Sequence, residues 1–201
     1  MKGIKDMRIS TKITAFLIAQ QIVHVEDREI YEYGFELLLA DLFNFCTILL
    51  IGGISGQLWS TILYLLIFVA LRSVCGGYHA KTRLHCHIGT IGVYLFFLFL
   101  LNTQVFTDRD GLLIGGDFIA AITVILFAPI QHQNKPLSEI VRKRNRLIAI
   151  TLFFLLILVA MVLGYFGRYE SIVISLTLWI VFLCMVPAID IYSFTRRRER
   201  I

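Results

Sequence analysis

Six long apolar runs constrain this chain more than any other feature of its sequence. Each is close to the ~20 helical residues that cross the hydrocarbon core of a bilayer, and the second is at the short end of that range. The runs are too long and too uniformly apolar for barrel strands, so we expect transmembrane helices. The six predicted spans are Leu37–Ile54, Leu58–Val74, Ile88–Phe106, Leu112–Ile130, Leu147–Gly167 and Ile172–Phe194.

The composition supports the same interpretation. Hydrophobic residues make up 58% of the 201 residues and charged residues only 16%, whereas soluble domains average about 45–50% and about 25%. The net charge of +5 comes from cations clustered between the apolar runs, which is typical of topology signals and not of a nucleic-acid surface. We therefore predict an all-α polytopic membrane protein that forms one domain over residues 1–201.

The distribution of Lys and Arg predicts the orientation. Six spans place both termini on the same side of the membrane. If that side is the cytoplasm, 17 of the 19 Lys and Arg residues are cytoplasmic, and only Arg109 and Arg168 lie outside. The positive-inside rule therefore predicts cytoplasmic termini and a cytoplasmic connection between the second and third spans.

The N-terminal residues 9–33 precede the first span and mix apolar with charged side chains. Phe16 and Leu17 lie near Lys12, and Val25 lies near Glu26. This mixture predicts an amphipathic helix on the membrane surface. A juxtamembrane helix that packs on the bundle is the alternative.

The segment from Arg72 to His87 concentrates polar groups between two apolar runs. Polar, titratable residues beside membrane-embedded helices are costly to place and indicate a function. A thiol with an imidazole nearby is the minimal equipment for thiolate attack, because the imidazole accepts the thiol proton. The segment contains the thiols Cys75 and Cys86, the imidazoles His79, His85 and His87, the cations Arg72, Lys81 and Arg83, and the pair Gly76-Gly77.

Spacing alone leaves the pairing of thiol and base open. His85 and His87 flank Cys86, but neighbours in sequence do not face one another on a helix. His79 precedes Cys86 by seven residues, which is about 10 Å on one continuous helix and too far for direct proton transfer. A His79–Cys86 pair therefore requires a break in the helix, and Cys75, His85 and His87 remain candidates for a share in the catalytic role.

A metal site is a further reading of the same residues. Cys75 and His79 have the i, i+4 spacing of one helix face, but the usual paired zinc ligands at Cys-x2-Cys and His-x3–5-His spacing are absent. We predict no metal and no cofactor.

Ionisable and thiol groups inside the apolar runs are weaker candidates. Cys46 and Cys184 are expected to be small core residues. Asp41, Asp117 and Asp190 lie within or near the spans, where a carboxylate is either a structural partner or part of a function.

Three blocks of the sequence resemble the accessory gene regulator protein B (AgrB) family. The first is Gly76-Gly77-Tyr78-His79-Ala80-Lys81-Thr82, with Cys86 seven residues after the histidine. The second, residues 128–137, is similar to the family's Ala-Pro…Asn-Lys-Pro-Leu stretch between its fourth and fifth spans, and the third, residues 33–36, to its Tyr-Gly-x-Glu opening of the first span. Cys75, His85 and His87 are additions that the family motif does not require.

The resemblance implies a membrane-embedded cysteine endopeptidase of the kind found in Gram-positive bacteria. Such enzymes remove the C-terminal tail of a small propeptide of the AgrD type and promote its cyclisation to a quorum-sensing peptide. Carried over to this chain, Cys86 is the nucleophile and His79 the general base. The expected location is the bacterial cell membrane, with the active site facing the cytoplasm.

Positive charge is expected to stabilise the thiolate or to hold the substrate. The residues assigned to thiolate stabilisation or substrate binding are the cations Arg72, Lys81, Arg83 and Lys135, together with the uncharged Gly76, Gly77 and Pro136. The basic segment from Lys135 to Arg146 could hold an acidic propeptide tail by charge complementarity, and anchoring to anionic lipid is the alternative. The expected partners are the AgrD-like propeptide, the lipid bilayer and a second copy in a homodimer, with no nucleic acid.

Two other functions compete with the peptidase. One is a small transporter for a peptide or a metal ion, which Asp41 and the Cys/His segment would serve. The other is a zinc-dependent membrane hydrolase. Alkylation of one cysteine should inactivate a cysteine peptidase, whereas a chelator should not.

Overall fold

The computed structural model describes residues 9–76, 83–103, 110–130 and 138–198, although the side chains of residues 83, 84, 110 and 189–198 are not described. Within those ranges the chain forms helices, one 3-10 turn at Val25–Asp27 and one isolated bridge. The predicted all-α polytopic class is confirmed. The helices are α1 (Ile9–Ala19), α2 (Arg28–Ile54), α3 (Leu58–Cys75), α4 (Arg83–Asn102), α5 (Asp110–Phe127), α6 (Glu139–Tyr165) and α7 (Glu170–Arg198).

All six predicted spans correspond to helices, but the boundaries differ: α2, α4 and α6 begin before the predicted spans, and the helix of the fourth span ends earlier than predicted. Among the described residues, α2, α3, α4, α6 and α7 are long and apolar enough to cross a membrane. The fourth span was predicted to reach Ile130, whereas the apolar helix within α5 covers only Gly111–Phe127. The helix stops there because Pro129 has no N–H for a further helical bond.

The start of α6 also differs from the prediction. The basic segment between the fourth and fifth spans was read as a loop that extends to Arg146, but α6 begins at Glu139. The Ser138 side chain accepts a hydrogen bond from the Val141 N–H, and Glu139 supplies a negative charge in the first turn. Both features stabilise a helix N-terminus, so Arg142 and Arg146 lie on helical turns.

The contacts divide the chain into two units, residues 1–48 and residues 49–201. In the first unit, α1 buries the polar residues Ser10, Thr11 and Thr14 and exposes Ile9 and Phe16. Two of its large apolar side chains are therefore exposed, as expected for a helix that contacts lipid. The predicted N-terminal helix thus exists, but it covers only Ile9–Ala19, and residues 28–33 already belong to α2.

In the second unit, α7 is the central helix. It packs against α3, α4, α5 and α6. Every residue from Val173 to Leu178 is buried, as expected for a helix that is surrounded by other helices. An aromatic cluster of Tyr64, Tyr94 and Phe97 fills part of the core, and the Thr61 and Tyr94 hydroxyls are hydrogen-bonded at 2.6 Å.

A polar contact and a small residue join α5 to α7. The Ser175 hydroxyl donates to Asp117 Oδ2 at 2.7 Å, and Asp117 is buried. One residue earlier, Gly116 lies so close to the Trp179 indole that a Cβ would overlap the ring. Asp117 therefore has a structural partner, whereas Asp41 is exposed and the Asp190 side chain is outside the described part.

Candidate active site

The helix α3 ends at Gly76, where the backbone turns out of the helix. Gly76 has a φ of 75°, a conformation that side-chain-bearing residues rarely adopt. Its N–H donates to the Arg72 carbonyl at 3.1 Å, and a Cβ would meet the Ile130 carbonyl oxygen. Gly76 therefore allows both the turn and the close approach of a second segment.

That second segment follows α5. The Ile130 N–H donates to the Cys75 carbonyl at 2.9 Å, and Gly76 and Ile130 form a parallel bridge. The end of α3 is thereby joined to residues 128–130, which directly follow α5. Two of the three family-like blocks meet here through backbone atoms, although they are some fifty residues apart in sequence.

Arg146 completes the end of α5. In a continuing helix the Ile125 carbonyl would accept from the N–H of residue 129, which is a proline and has none. Instead the Arg146 Nη2 donates to the Ile125 oxygen at 3.0 Å. A cation at a helix C-terminus also complements the helix dipole. Arg146 was predicted to belong to a peptide- or lipid-binding loop, and the structure places it in a helix cap.

Cys86 lies in the first turn of α4, which begins at Arg83. The residue is half-buried, and the Thr90 hydroxyl donates to the Cys86 carbonyl at 2.9 Å. Residues four apart share a helix face, so the hydroxyl lies on the same side as the thiol.

A cavity of about 330 Å³ lies between α3, α4 and α7, and Cys86 is part of its wall. Its polar lining groups include Arg72 and His85, and most of the remaining wall is apolar. The Arg72 guanidinium carbon lies 5.8 Å from the centroid of the Phe68 ring, within cation–π range. The lining residues are Phe68, Arg72, His85, Cys86, Gly89, Thr90, Gly92, Val93, Phe96, Ile180, Leu183, Cys184 and Pro187.

The four cysteines differ in access. Cys75 is fully buried at 0% exposure, so its thiol is closed to a peptide. Cys46 was expected in the core but is exposed. Cys184 was also expected to be a core residue, yet it lines the same cavity as Cys86. Its sequence neighbours are all apolar, so no local signal distinguishes it.

The structure brings together only some of the predicted site residues. Arg72 and Cys86 line the cavity, and Gly76 forms the junction with Ile130. Arg83 begins α4, but its side chain is not described. The predictions for His79, Gly77, Lys81, Lys135 and Pro136 lie outside the described residues.

The end of α3 removes the spacing argument for a metal site at Cys75 and His79. The i, i+4 relation between Cys75 and His79 requires one helix, but α3 ends at Cys75. Among the residues whose side chains the structure describes, no three His, Cys, Asp or Glu side chains are grouped to hold a metal ion.

These features define a multi-pass helical membrane protein with a thiol at a cavity between three helices. The model of one family, described as Accessory gene regulator B, matches residues 10–186. The chain belongs to the Accessory gene regulator B family, as the sequence blocks predicted.

Curated relatives agree with this assignment. Protein FsrB of Enterococcus faecalis (strain ATCC 47077 / OG1RF) is 33% identical over 73 residues, which are 36% of this chain and 30% of FsrB. Accessory gene regulator protein B of Staphylococcus aureus (strain bovine RF122 / ET3-1) is 29% identical over 129 residues, 61% of this chain and 66% of the relative. The protein of the same name from Staphylococcus aureus (strain JH9) is 22% identical over 163 residues, 80% of this chain and 84% of the relative.

The match thus spans about a third of FsrB and just under two thirds of the first staphylococcal relative. No solved structure matches the chain.

Proposed function

We propose that this protein is a membrane-embedded cysteine endopeptidase that processes an AgrD-type propeptide to a cyclic quorum-sensing peptide. The observation that carries the proposal is the position of Cys86, a partly accessible thiol in the wall of a cavity that also contains Arg72. Membership of the Accessory gene regulator B family supports the same activity.

In the proposed mechanism, His79 accepts the Cys86 thiol proton and the thiolate attacks the carbonyl carbon at the cleavage site. The tetrahedral intermediate collapses, the C–N bond breaks, and His79 returns its proton to the leaving amine of the tail. The core peptide is left as a thioester on Cys86. A cysteine thiol of the peptide then attacks this thioester: the peptide sulfur takes the acyl group, the bond between the Cys86 sulfur and the acyl carbon breaks, and the proton of the peptide thiol passes to the Cys86 sulfur.

A thiol suits this sequence of steps better than a hydroxyl. The final exchange replaces one thioester by another, so it loses little free energy and needs no ATP. An oxygen nucleophile would leave a less reactive ester, and forming the thiolactone from it would be uphill. Water must be excluded during the exchange, and a cavity with mostly apolar walls favours this.

The cations have two proposed roles. Arg72 faces the same cavity as Cys86, so we assign it to the negative charge that develops on the attacked carbonyl oxygen. Lys81, Arg83 and Lys135, with Pro136, are proposed to hold the propeptide on the cytoplasmic side, and Gly76 and Gly77 to shape the backbone beside it. For Lys81 and Lys135 the argument is charge alone.

The test is processing of a purified propeptide in proteoliposomes by five variants. Cys86→Ser should abolish both tail release and the covalent enzyme–peptide adduct, whereas Cys46→Ser, at an exposed thiol, should behave as wild type. His79→Ala should lose about as much activity as Cys86→Ala, and the double variant should be little worse, because residues that act as a unit are non-additive. Tail release by Cys86→Ser at the wild-type rate would refute the proposal.

A further inference from the structure

We infer that the cavity beside Cys86 is a specificity pocket for a large apolar side chain, on the residue that supplies the attacked carbonyl. The inference rests on the proposed function and adds the class of substrate residue that the site accepts. After attack, this residue remains bonded to the Cys86 sulfur, so its side chain must lie within a few ångströms of the thiol. In the described part of the chain, the cavity that Cys86 itself lines provides such space.

The shape of the cavity fits one side chain that enters beside the thiol. Along α4 its wall runs from Cys86 to Phe96, a distance of about 15 Å at the helical rise per residue. The thiol, His85 and Arg72 belong to the helix ends, whereas Phe96 and Val93 lie deeper along α4. The reacting carbonyl would thus lie near the polar groups and the side chain against the apolar wall.

The volume indicates a large occupant. A protein cavity of about 150 Å³ accommodates a benzene molecule. The cavity beside Cys86 has about 330 Å³, enough for an aromatic or long aliphatic side chain together with its backbone. A carboxylate in the same place would lose hydration without gaining a partner from most of the wall.

Two glycines keep the cavity open. Gly89 and Gly92 lie in its wall, and a Cβ added at either would meet no atom within 4 Å. By contrast, a Cβ at Gly52 or Gly116 would overlap a neighbouring helix. The glycines of α4 are therefore not required by helix packing, although glycine weakens a helix interior. What they provide is space beside the thiol.

The first test uses thiol reagents and does not depend on catalysis. Iodoacetamide and N-benzyl iodoacetamide are reacted with the full chain in lipid nanodiscs, in a Cys184→Ala background so that Cys86 is the thiol of the cavity wall. Peptide mass mapping gives the rate at Cys86 relative to Cys46, an exposed thiol that corrects for partition of the reagent into lipid. Relative to Cys46, Cys86 should react at least about tenfold faster with N-benzyl iodoacetamide than with iodoacetamide.

Gly92→Leu should abolish this preference by filling the cavity, and Gly92→Ala should reduce it. Gly115→Leu is the matched control, because it adds the same side chain to a helical glycine with open space that does not line the cavity. A preference that Gly92→Leu leaves unchanged, as expected if a lipid chain occupies the cavity, would overturn the inference.

The second test uses AgrD-type propeptides with Leu, Ala or Asp at the residue that supplies the attacked carbonyl. The wild-type kcat/KM should fall in that order, by at least about tenfold from Leu to Ala. Gly92→Leu should lower the Leu-to-Ala ratio at least tenfold, and Gly92→Ala keeps the ratio measurable if the larger substitution is inactive. An unchanged ratio would count against the pocket alone, whereas processing by Cys86→Ser would count against the proposed function.

Discussion

At the scale of single residues, burial distinguishes two thiols that composition alone does not. Cys75 and Cys86 lie in one short polar segment. Cys75, at the end of α3, is nevertheless fully buried, whereas Cys86 lines a cavity. Arg72 is one helical turn from Phe68 and faces that cavity. Arg72 is therefore a cation that lines the same cavity as the Cys86 thiol.

Replacing Arg72 tests its assignment to transition-state charge. Arg72→Gln should lower kcat by about 10²–10³, the usual cost of removing one donor to a developing oxyanion, with a smaller effect on KM. Arg72→Lys should recover part of the loss, because the charge is kept and the planar donor fork is not. Steady-state processing of the propeptide measures both constants. A rise in KM at constant kcat would instead assign Arg72 to ground-state binding.

The sequence could predict the polar segment and, through the family-like block, Cys86 within it, but not the burial or exposure of the other thiols. Nucleophiles, imidazoles and cations beside apolar runs indicate a function from composition alone, and the family-like block selects Cys86. The burial of Cys75 depends on how α3 packs against distant helices, and the position of Cys184 depends on the packing of α7 against α3 and α4. Neither is a property of neighbouring residues in the chain.

At the scale of helices, adjacent glycines have different roles. Gly115 has open space where a Cβ would lie, whereas Gly116 is in contact with the Trp179 indole. The same contrast recurs in α2, where Gly53 is open and Gly52 lies against Thr61. Small residues let membrane helices approach closely, and only one of each pair serves this purpose.

This contrast predicts opposite outcomes for two neighbouring substitutions. Gly116→Ala should destabilise the protein by about 1–3 kcal/mol, because the added methyl group overlaps the indole and overpacks the α5–α7 contact. Gly115→Ala, one residue away, should be neutral or stabilising by up to about 1 kcal/mol, since alanine favours the helix. Thermal unfolding in detergent micelles compares the two. Equal melting temperatures would show that α5 and α7 are not packed through Gly116.

Helix boundaries follow signals that hydropathy alone overlooks. The predicted fourth span ran through Pro129, although a proline there removes the N–H that Ile125 requires. The predicted basic loop ran past Ser138, although Ser followed by Glu is a common helix start. Pro129 and Ser138 therefore mark these two boundaries more closely than hydropathy does.

At the scale of the whole molecule, the distribution of charge predicts the orientation. The cations fall on one side of the six apolar runs, apart from Arg109 and Arg168. The apolar stretches themselves are compatible with either direction, because hydropathy does not distinguish the two sides of a membrane. Orientation is thus a consequence of the short connections.

A membrane-impermeant maleimide tests this orientation in intact cells. When the reagent is added outside intact cells, it should not label Cys86. After permeabilisation it should label Cys86. Arg168→Cys is the positive control, because this side chain is 61% exposed between α6 and α7 on the predicted outer side. Labelling of Cys86 without permeabilisation would reverse the topology and place the proposed chemistry outside the cell.

The backbone pairing of Gly76 with Ile130 has a consequence for experiments that exchange parts between relatives. The two segments share a hydrogen bond and a contact too close for any side chain at Gly76. The conformation of each segment therefore depends on the other. A chimaera that takes residues 70–87 from one relative and residues 125–137 from another would pair two contacting segments that come from different proteins. Exchanges intended to transfer substrate preference should therefore move both segments as one cassette.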